Sequence, residues 1–311
     1  MTTGRSDAGL RIGTRGSALA LAQSGRVGDA VAALTGCAVE LVRIRTEGDV
    51  NRGPLATIGG TGVFVTAVRA ALLAGDVDVV VHSFKDLPNA PAEGIALVAV
   101  PRREDPADAL CARDGLSLDA LPRGARVGTG SPRRAAQLLA LRPDLTVQSI
   151  RGNVGTRLGL AHNGTVDAVV LAAAGLARLG RSAAITQRFG PDAMLPAPAQ
   201  GALAVEARLG ETAWYIKALH RIDDVATRSA AIAERGVLAG LEAGCSAPVA
   251  ALGTGSDGLL NLRGRVVAVD GSTRLDGAAA GPVDGDVEAA DLGHRLAAEL
   301  LGRGAAGILG S

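Results

Sequence analysis

The sequence predicts a parallel α/β protein that closes with a smaller α+β part. Three observations carry this. Up to about residue 179, short apolar runs alternate with longer stretches of helical period, as strand–helix–strand units require. From residue 223 the order changes to one long Ala-rich helix, three strand-like runs and a closing helix. Finally, 311 residues exceed the ~100–200 of one ordinary domain.

Residues 10–14 read as a strand, and a helix opens near Ser17 and runs through 30–34. Alternation makes 39–45 a strand. Residues 46–62 have no period and are rich in Gly, Asp, Asn and Pro; a loop of that length in a compact domain is expected to act as a lid. A helix over 63–74 leads to a buried strand at 78–81 that ends in His82-Ser83, and 95–100 is a further strand. A second α/β set begins near Arg103. In it, strands at 126–129, 145–150 and 167–171 alternate with helices at 131–141, 153–162 and 173–179. Ser131 before Pro132 is a favoured N-cap and first-turn pair. The run 202–205 is expected to return to the first sheet. A helix to 241 then precedes Gly244-Cys245-Ser246-Ala247-Pro248, strands at 249–252, 259–269 and 272–278, and a helix at 287–301.

The apolar fraction of 48% and charged fraction of 20% fit a packed globular chain. A net charge of +1 gives no basic field for nucleic acid or membrane. Aromatics are too sparse for a stacking platform. Cys37, Cys111 and Cys245 are too scattered for a disulfide framework or zinc ribbon, and the four histidines lie too far apart for a metal site. The start resembles no signal peptide and no apolar run reaches ~18 residues, so a soluble cytoplasmic protein is expected. Of thirty-two cations only Lys85 and Lys217 are lysine. The remaining Arg side chains are planar forks suited to carboxylates and phosphates.

In α/β sheets, ligands gather beyond the carboxyl ends of strands. Four segments here follow such ends: Thr14-Arg15-Gly16-Ser17, His82-Ser83-Phe84-Lys85-Asp86, Gly128-Thr129-Gly130-Ser131-Pro132-Arg133-Arg134 and Arg151-Gly152-Asn153-Val154-Gly155-Thr156-Arg157. Together they supply hydroxyls, free helix-terminal N–H groups and several guanidiniums, which points to a polyanionic ligand. Each Arg alone reads first as a solvated surface residue; the clustering reverses this and favours the ligand. Asp86 is an acid among these cations. Either it pairs with a neighbouring Arg, or it faces a group that becomes positive during reaction. Cys245 sits on a turn, either as an unremarkable thiol or as a nucleophile or attachment point. Phe64 either covers a flat ligand or anchors the next helix.

These segments, with Ile12 through Ala20, Val81 through Pro88, Pro198-Ala199-Gln200-Gly201-Ala202-Leu203 and Gly244-Cys245-Ser246-Ala247-Pro248, resemble the porphobilinogen deaminase (hydroxymethylbilane synthase) family in order along almost the whole chain. The resemblance implies two periplasmic-binding-protein-like (type II) α/β domains flanking a cleft, plus a small C-terminal α+β domain. The expected bounds are 1–102 with 197–220, then 103–196, then 221–311. It implies a dipyrromethane cofactor joined through a thioether to Cys245, and a monomer acting on porphobilinogen. The family's reaction deaminates four porphobilinogen molecules, joins them head to tail through an azafulvene electrophile, and releases hydroxymethylbilane by hydrolysis.

By match to the family motifs, Arg15, Ser17, Arg151 and Arg157 would hold substrate carboxylates, with Arg178 and Phe64 as further substrate contacts. Ser131, Arg133, Arg134 and Lys85 would hold the cofactor. Asp86, with Lys85 beside it, would be catalytic, accepting pyrrole N–H groups and steadying the cationic ring. The chain departs from the family at Gly60-Thr61-Gly62-Val63-Phe64, where a lysine usually stands at Thr61. It departs again at Ala197-Pro198-Ala199-Gln200-Gly201 for the usual Val-Gly-Gln-Gly, and at Gly130-Ser131-Pro132-Arg133-Arg134 for Ser-Ser-Leu-Arg-Arg. A non-catalytic two-lobed anion-binding protein is the rival expectation.

Overall fold

The computed structural model describes residues 9–44, 62–244, 247–256 and 259–310. The expected lid at 46–62 falls outside them except for Gly62, and so do Thr61 and Cys245. The chain forms two compact units, residues 1–103 with 202–228 and residues 104–201 with 229–311.

In the first unit, β1 (Leu10–Arg15), β2 (Val39–Ile44), β3 (Val79–Ser83), β4 (Ile95–Ala99) and β10 (Leu203–Arg208) form one sheet in the order β2-β1-β3-β10-β4. β1 runs parallel to β2 and β3, while β10 is antiparallel to β3 and β4. Val79, Val80 and Val81 are all buried, because a central strand covered on both faces reads as a continuous apolar run. The helices are α1 (Ala18–Thr35), α2 (Gly62–Ala74) and α6 (Trp214–Ile222). Ser17 caps α1 by accepting from the Ala20 N–H, and Gly36 ends it in the left-handed conformation. Leu10, Ile12, Val27, Val31, Val205 and Leu219 share the main core.

The second unit repeats the scheme. Its strands β5 (Asp108–Ala112), β6 (Arg126–Thr129), β7 (Thr146–Ser149), β8 (Ala168–Ala172) and β9 (Gln187–Arg188) take the order β7-β6-β8-β5-β9, with β5 antiparallel to β8. The helices are α3 (Pro132–Leu141), α4 (Val154–His162) and α5 (Ala173–Arg178). In each sheet the antiparallel strand is the one on which the chain arrives from the other unit, β5 after residue 103 and β10 after residue 201. Two such α/β sheets are what the alternation of strands and helices predicts.

Helix α7 (Val225–Gly240) leads from the first unit into the second, and an antiparallel sheet of β11 (Val249–Ser256), β12 (Leu259–Val267) and β13 (Arg274–Pro282) follows. Helices α8 (Asp286–Gly302) and α9 (Ala305–Leu309) complete it. Val237, Leu262, Val266, Leu292, Leu296 and Leu300 fill its core. The expected α+β part is therefore present.

The sequence reading misses β5, β9, α6 and α9. β5 is five residues opening on a charged Asp108, too short and too mixed to show a period. The run at 259–269 ends two residues early, because Asp270 accepts from the Ser272 N–H and hydroxyl and turns the chain. Among the described residues no helix is long and apolar enough to cross a membrane.

Candidate active site

Because β1 and β3 are parallel neighbours, their carboxyl ends emerge side by side. Arg15 ends β1, Ser17 starts α1, and Ser83 ends β3. The chain then makes a short 3₁₀ turn, Phe84–Asp86, that anchors itself by burying Phe84. These pieces wall a cavity of about 220 Å³ in which Arg15, Ser17, Gln23, His82, Ser83 and Asp86 are the polar lining. Asp86 is exposed and stands at this wall. Gln23 donates to the Ser83 hydroxyl at 2.7 Å, tying α1 to the end of β3. Behind the wall, Glu206 on β10 takes both Nε and Nη2 of Arg69 and lies 3.3 Å from His82 Nε2. Burial pushes the Glu206 carboxyl up, yet Arg69 and His82 outweigh it and hold the group at about 2.

The second unit brings two Arg-bearing loops together for the same topological reason. β6 and β7 are parallel, so the segments that follow them lie adjacent. A side chain at position 130 would meet the Ile150 carbonyl at 2.7 Å, so Gly130 permits the close approach. Each segment then starts a helix: Ser131 accepts from the Arg134 N–H and Asn153 from the Thr156 N–H. Arg151 is exposed and Arg157 half-buried. Burial pushes the Arg157 pKa down, and the neighbouring Arg134 and Arg151 push the same way. Cations crowded like this favour an anion among them.

Arg133 and Arg134 lie on the inner side of α3, 4% and 5% exposed, and share one carboxylate. Asp108, fully buried at the start of β5, sits 2.7 Å from Nη2 of each. Burial pushes the Asp108 carboxyl up, but the two guanidiniums prevail and hold it at about 2. Two cations on one anion leave one positive charge over. Arg133 also donates to the Leu195 carbonyl at 2.6 Å, while its buried Nε–H has no hydrogen-bond partner.

Gln200 reaches the same centre, donating to Asp108 at 2.9 Å and accepting from Arg134 at 3.3 Å. The loop that presents it is strained. Ala199, at the position where the family motif has glycine, holds φ at 59°, and its N–H donates at 2.6 Å to the buried carboxylate of Glu234 on α7. Gly201, at φ 88°, has no room for a side chain against the Glu104 carbonyl. Arg178 donates to the Gly201 carbonyl at 2.6 Å.

The structure therefore brings Arg15, Ser17 and Asp86 to one wall, and Ser131, Arg133, Arg134 and Arg157 to one cluster. Lys85 lies half-buried in the turn between Phe84 and Asp86. Arg178 is engaged in holding the 196–201 loop. Phe64 lies in the first turn of α2; its side chain, like Cys245, lies outside the described residues. Sequence reasoning missed Gln23, Asp108 and Glu234. A signal existed for Gln23 and Glu234: each is a polar group inside a run otherwise apolar, and a buried polar group must have a partner.

The class defined by this fold and site is a two-sheet α/β protein with arginine-bearing segments at the carboxyl ends of its strands. The family description "Porphobilinogen deaminase, dipyromethane cofactor binding domain" matches residues 10–215, and "Porphobilinogen deaminase, C-terminal domain" matches residues 229–302. Porphobilinogen deaminase 1 of Streptomyces coelicolor is 55% identical over 311 residues, covering 97% of each chain. Porphobilinogen deaminase of Leifsonia xyli is 53% identical over 98% of this chain and 95% of its own. The chain belongs to the porphobilinogen deaminase family.

Proposed function

We propose that this protein deaminates four porphobilinogen molecules, joins them head to tail on a dipyrromethane covalently held by the Cys245 thioether, and releases hydroxymethylbilane by hydrolysis. The observation that carries the reading is the buried excess of positive charge around Asp108. Each pyrrole unit brings an acetate and a propionate, so a growing chain gathers the negative charge that this cluster needs. The orphaned Arg133 Nε–H fits such a guest. Ser131, Arg133, Arg134 and Lys85 would hold the cofactor. Once bound, the dipyrromethane offers a free α-carbon on which the chain grows.

Arg15, Ser17, Arg151 and Arg157 take substrate carboxylates, with Arg178 and Phe64 as further substrate contacts. Asp86 accepts the pyrrole N–H. When the aminomethyl C–N bond breaks, the nitrogen leaves as ammonia and the ring becomes a cationic azafulvene, which the Asp86 carboxylate stabilises. A carboxylate set in place beforehand needs no reorganisation as that charge appears. The proposed organisation is three domains, with residues 221–311 as the cysteine-bearing one, in a cytoplasmic monomer. Family membership does not favour the rival reading of a non-catalytic anion-binding protein.

The test is intact mass under denaturing conditions, from a host that makes porphobilinogen. An increment of two linked pyrroles is expected, and Cys245→Ala should abolish it. An unmodified wild-type chain overturns the reading.

A further inference from the structure

Arg265, on β12, is 1% exposed although nothing in the reaction above uses it. A buried guanidinium is costly, and apolar replacements are often no less stable, so its partners are informative. Its Nε meets Asp276, directly opposite on β13, at 2.5 Å. Its Nη2 donates to the Asp192 carbonyl at 3.1 Å and its Nη1 to the Ala193 carbonyl at 3.3 Å. The same Nη1 donates to Gln137 Oε1 on α3 at 3.0 Å.

That last bond decides which way the Gln137 amide points. Its Oε1 also accepts from the Leu195 N–H at 2.8 Å, and its Nε2 donates to the Leu195 carbonyl at 3.0 Å. Were the amide reversed, its NH₂ would face two donors, the Arg265 guanidinium and the Leu195 N–H. Arg265 thus enforces one orientation, and Gln137 then grips both polar groups of Leu195. The Leu195 carbonyl is in turn the acceptor for Arg133 Nη1 at 2.6 Å, and Arg133 Nη2 lies on Asp108. The bonds are continuous, and every residue from Arg265 to Asp108 is buried.

We propose that Arg265 is a positioning residue: through Gln137 and the Leu195 carbonyl it holds the Arg133 guanidinium, coupling the three-stranded sheet that follows Cys245 to the cationic cluster and setting how fast the dipyrromethane is acquired. The proposal rests on the porphobilinogen deaminase reading above.

The test compares apo-protein of the wild type, Arg265→Met, Arg265→Lys and Leu262→Ala. Leu262 is a buried core residue of the same strand that makes none of these hydrogen bonds, and its truncation serves as the stability control. Each protein is incubated with porphobilinogen, the mass increment is followed over time under denaturing conditions, and the melting temperature is recorded. Arg265→Met is expected to load about ten- to a hundredfold more slowly than Leu262→Ala at a comparable loss of melting temperature. Arg265→Lys keeps the charge near Asp276 but lacks the fork that spans Gln137 and the two carbonyls. It should fold and still load slowly, so the proposal stays testable if Arg265→Met does not fold. Arg265 variants that load no more slowly than Leu262→Ala overturn the proposal. A wild type that acquires no increment refutes instead the reading it rests on.

Discussion

Asp86 and Ala199 show how much a single position decides. Asp86 is exposed at the end of a short turn, so Asp86→Asn is expected to keep the fold and the mass increment. Turnover should fall by at least ~10²–10³, the scale of losing one preorganised charge at a developing cation. Near-normal kcat would remove it from its assigned role. Ala199 is the opposite case, a residue under strain. An L-residue at φ 59° costs about 1–2 kcal/mol, part of which glycine repays to the unfolded chain as entropy. Ala199→Gly is therefore expected to raise stability by about 0.5–1 kcal/mol, read as a higher urea midpoint with an unchanged slope. The motif comparison shows the substitution plainly, but only the backbone angle shows that it is strained.

At the scale of elements, the helices that follow β6 and β7 do the electrostatic work. Arg157 sits where burial, Arg134 and Arg151 all disfavour its charge, a situation that a bound carboxylate relieves. Arg157→Leu should raise KM for porphobilinogen about tenfold, the worth of one charge-assisted hydrogen bond, with a smaller change in kcat. An unchanged KM would mean that Arg157 meets no substrate carboxylate. Ser131 and Pro132 make the first of these helix starts legible from sequence, because caps are local chemistry. Asp108 was not legible. It begins a five-residue strand with no signature, and its importance comes from two arginines 25 and 26 positions away that the sheet order delivers to it.

For the molecule as a whole, acid should be the weak direction. Asp108 titrates at about 2 in the folded state against an ordinary 3.8, and Glu206 at about 2 against 4.5. Groups whose folded pKa is depressed stabilise above the unfolded value, and that contribution is lost as pH falls through the folded one. Stability should therefore drop between about pH 4.5 and pH 2. Asp108→Asn should flatten part of that drop. At neutral pH it should cost about 3–5 kcal/mol, since two buried guanidiniums lose their counter-charge. Thermal melts across that range for both proteins check the slope and the neutral-pH loss together, and a variant as stable as the wild type at neutral pH would show that the pair needs no counter-charge.

Two kinds of information separate cleanly here. The α/β alternation, the helix starts, the return of the chain to its first sheet and the loops that carry Arg15, Asp86, Ser131 and Arg157 are all readable along the chain. Periodicity, caps and short motifs act over a few residues, within reach of local sequence. The pairing of Arg133 and Arg134 on one carboxylate, the hold of Glu234 on a left-handed alanine, and the line of bonds from Arg265 to Arg133 belong to tertiary structure alone. Those contacts join residues up to 128 positions apart. Their energies depend on burial, which no local window contains.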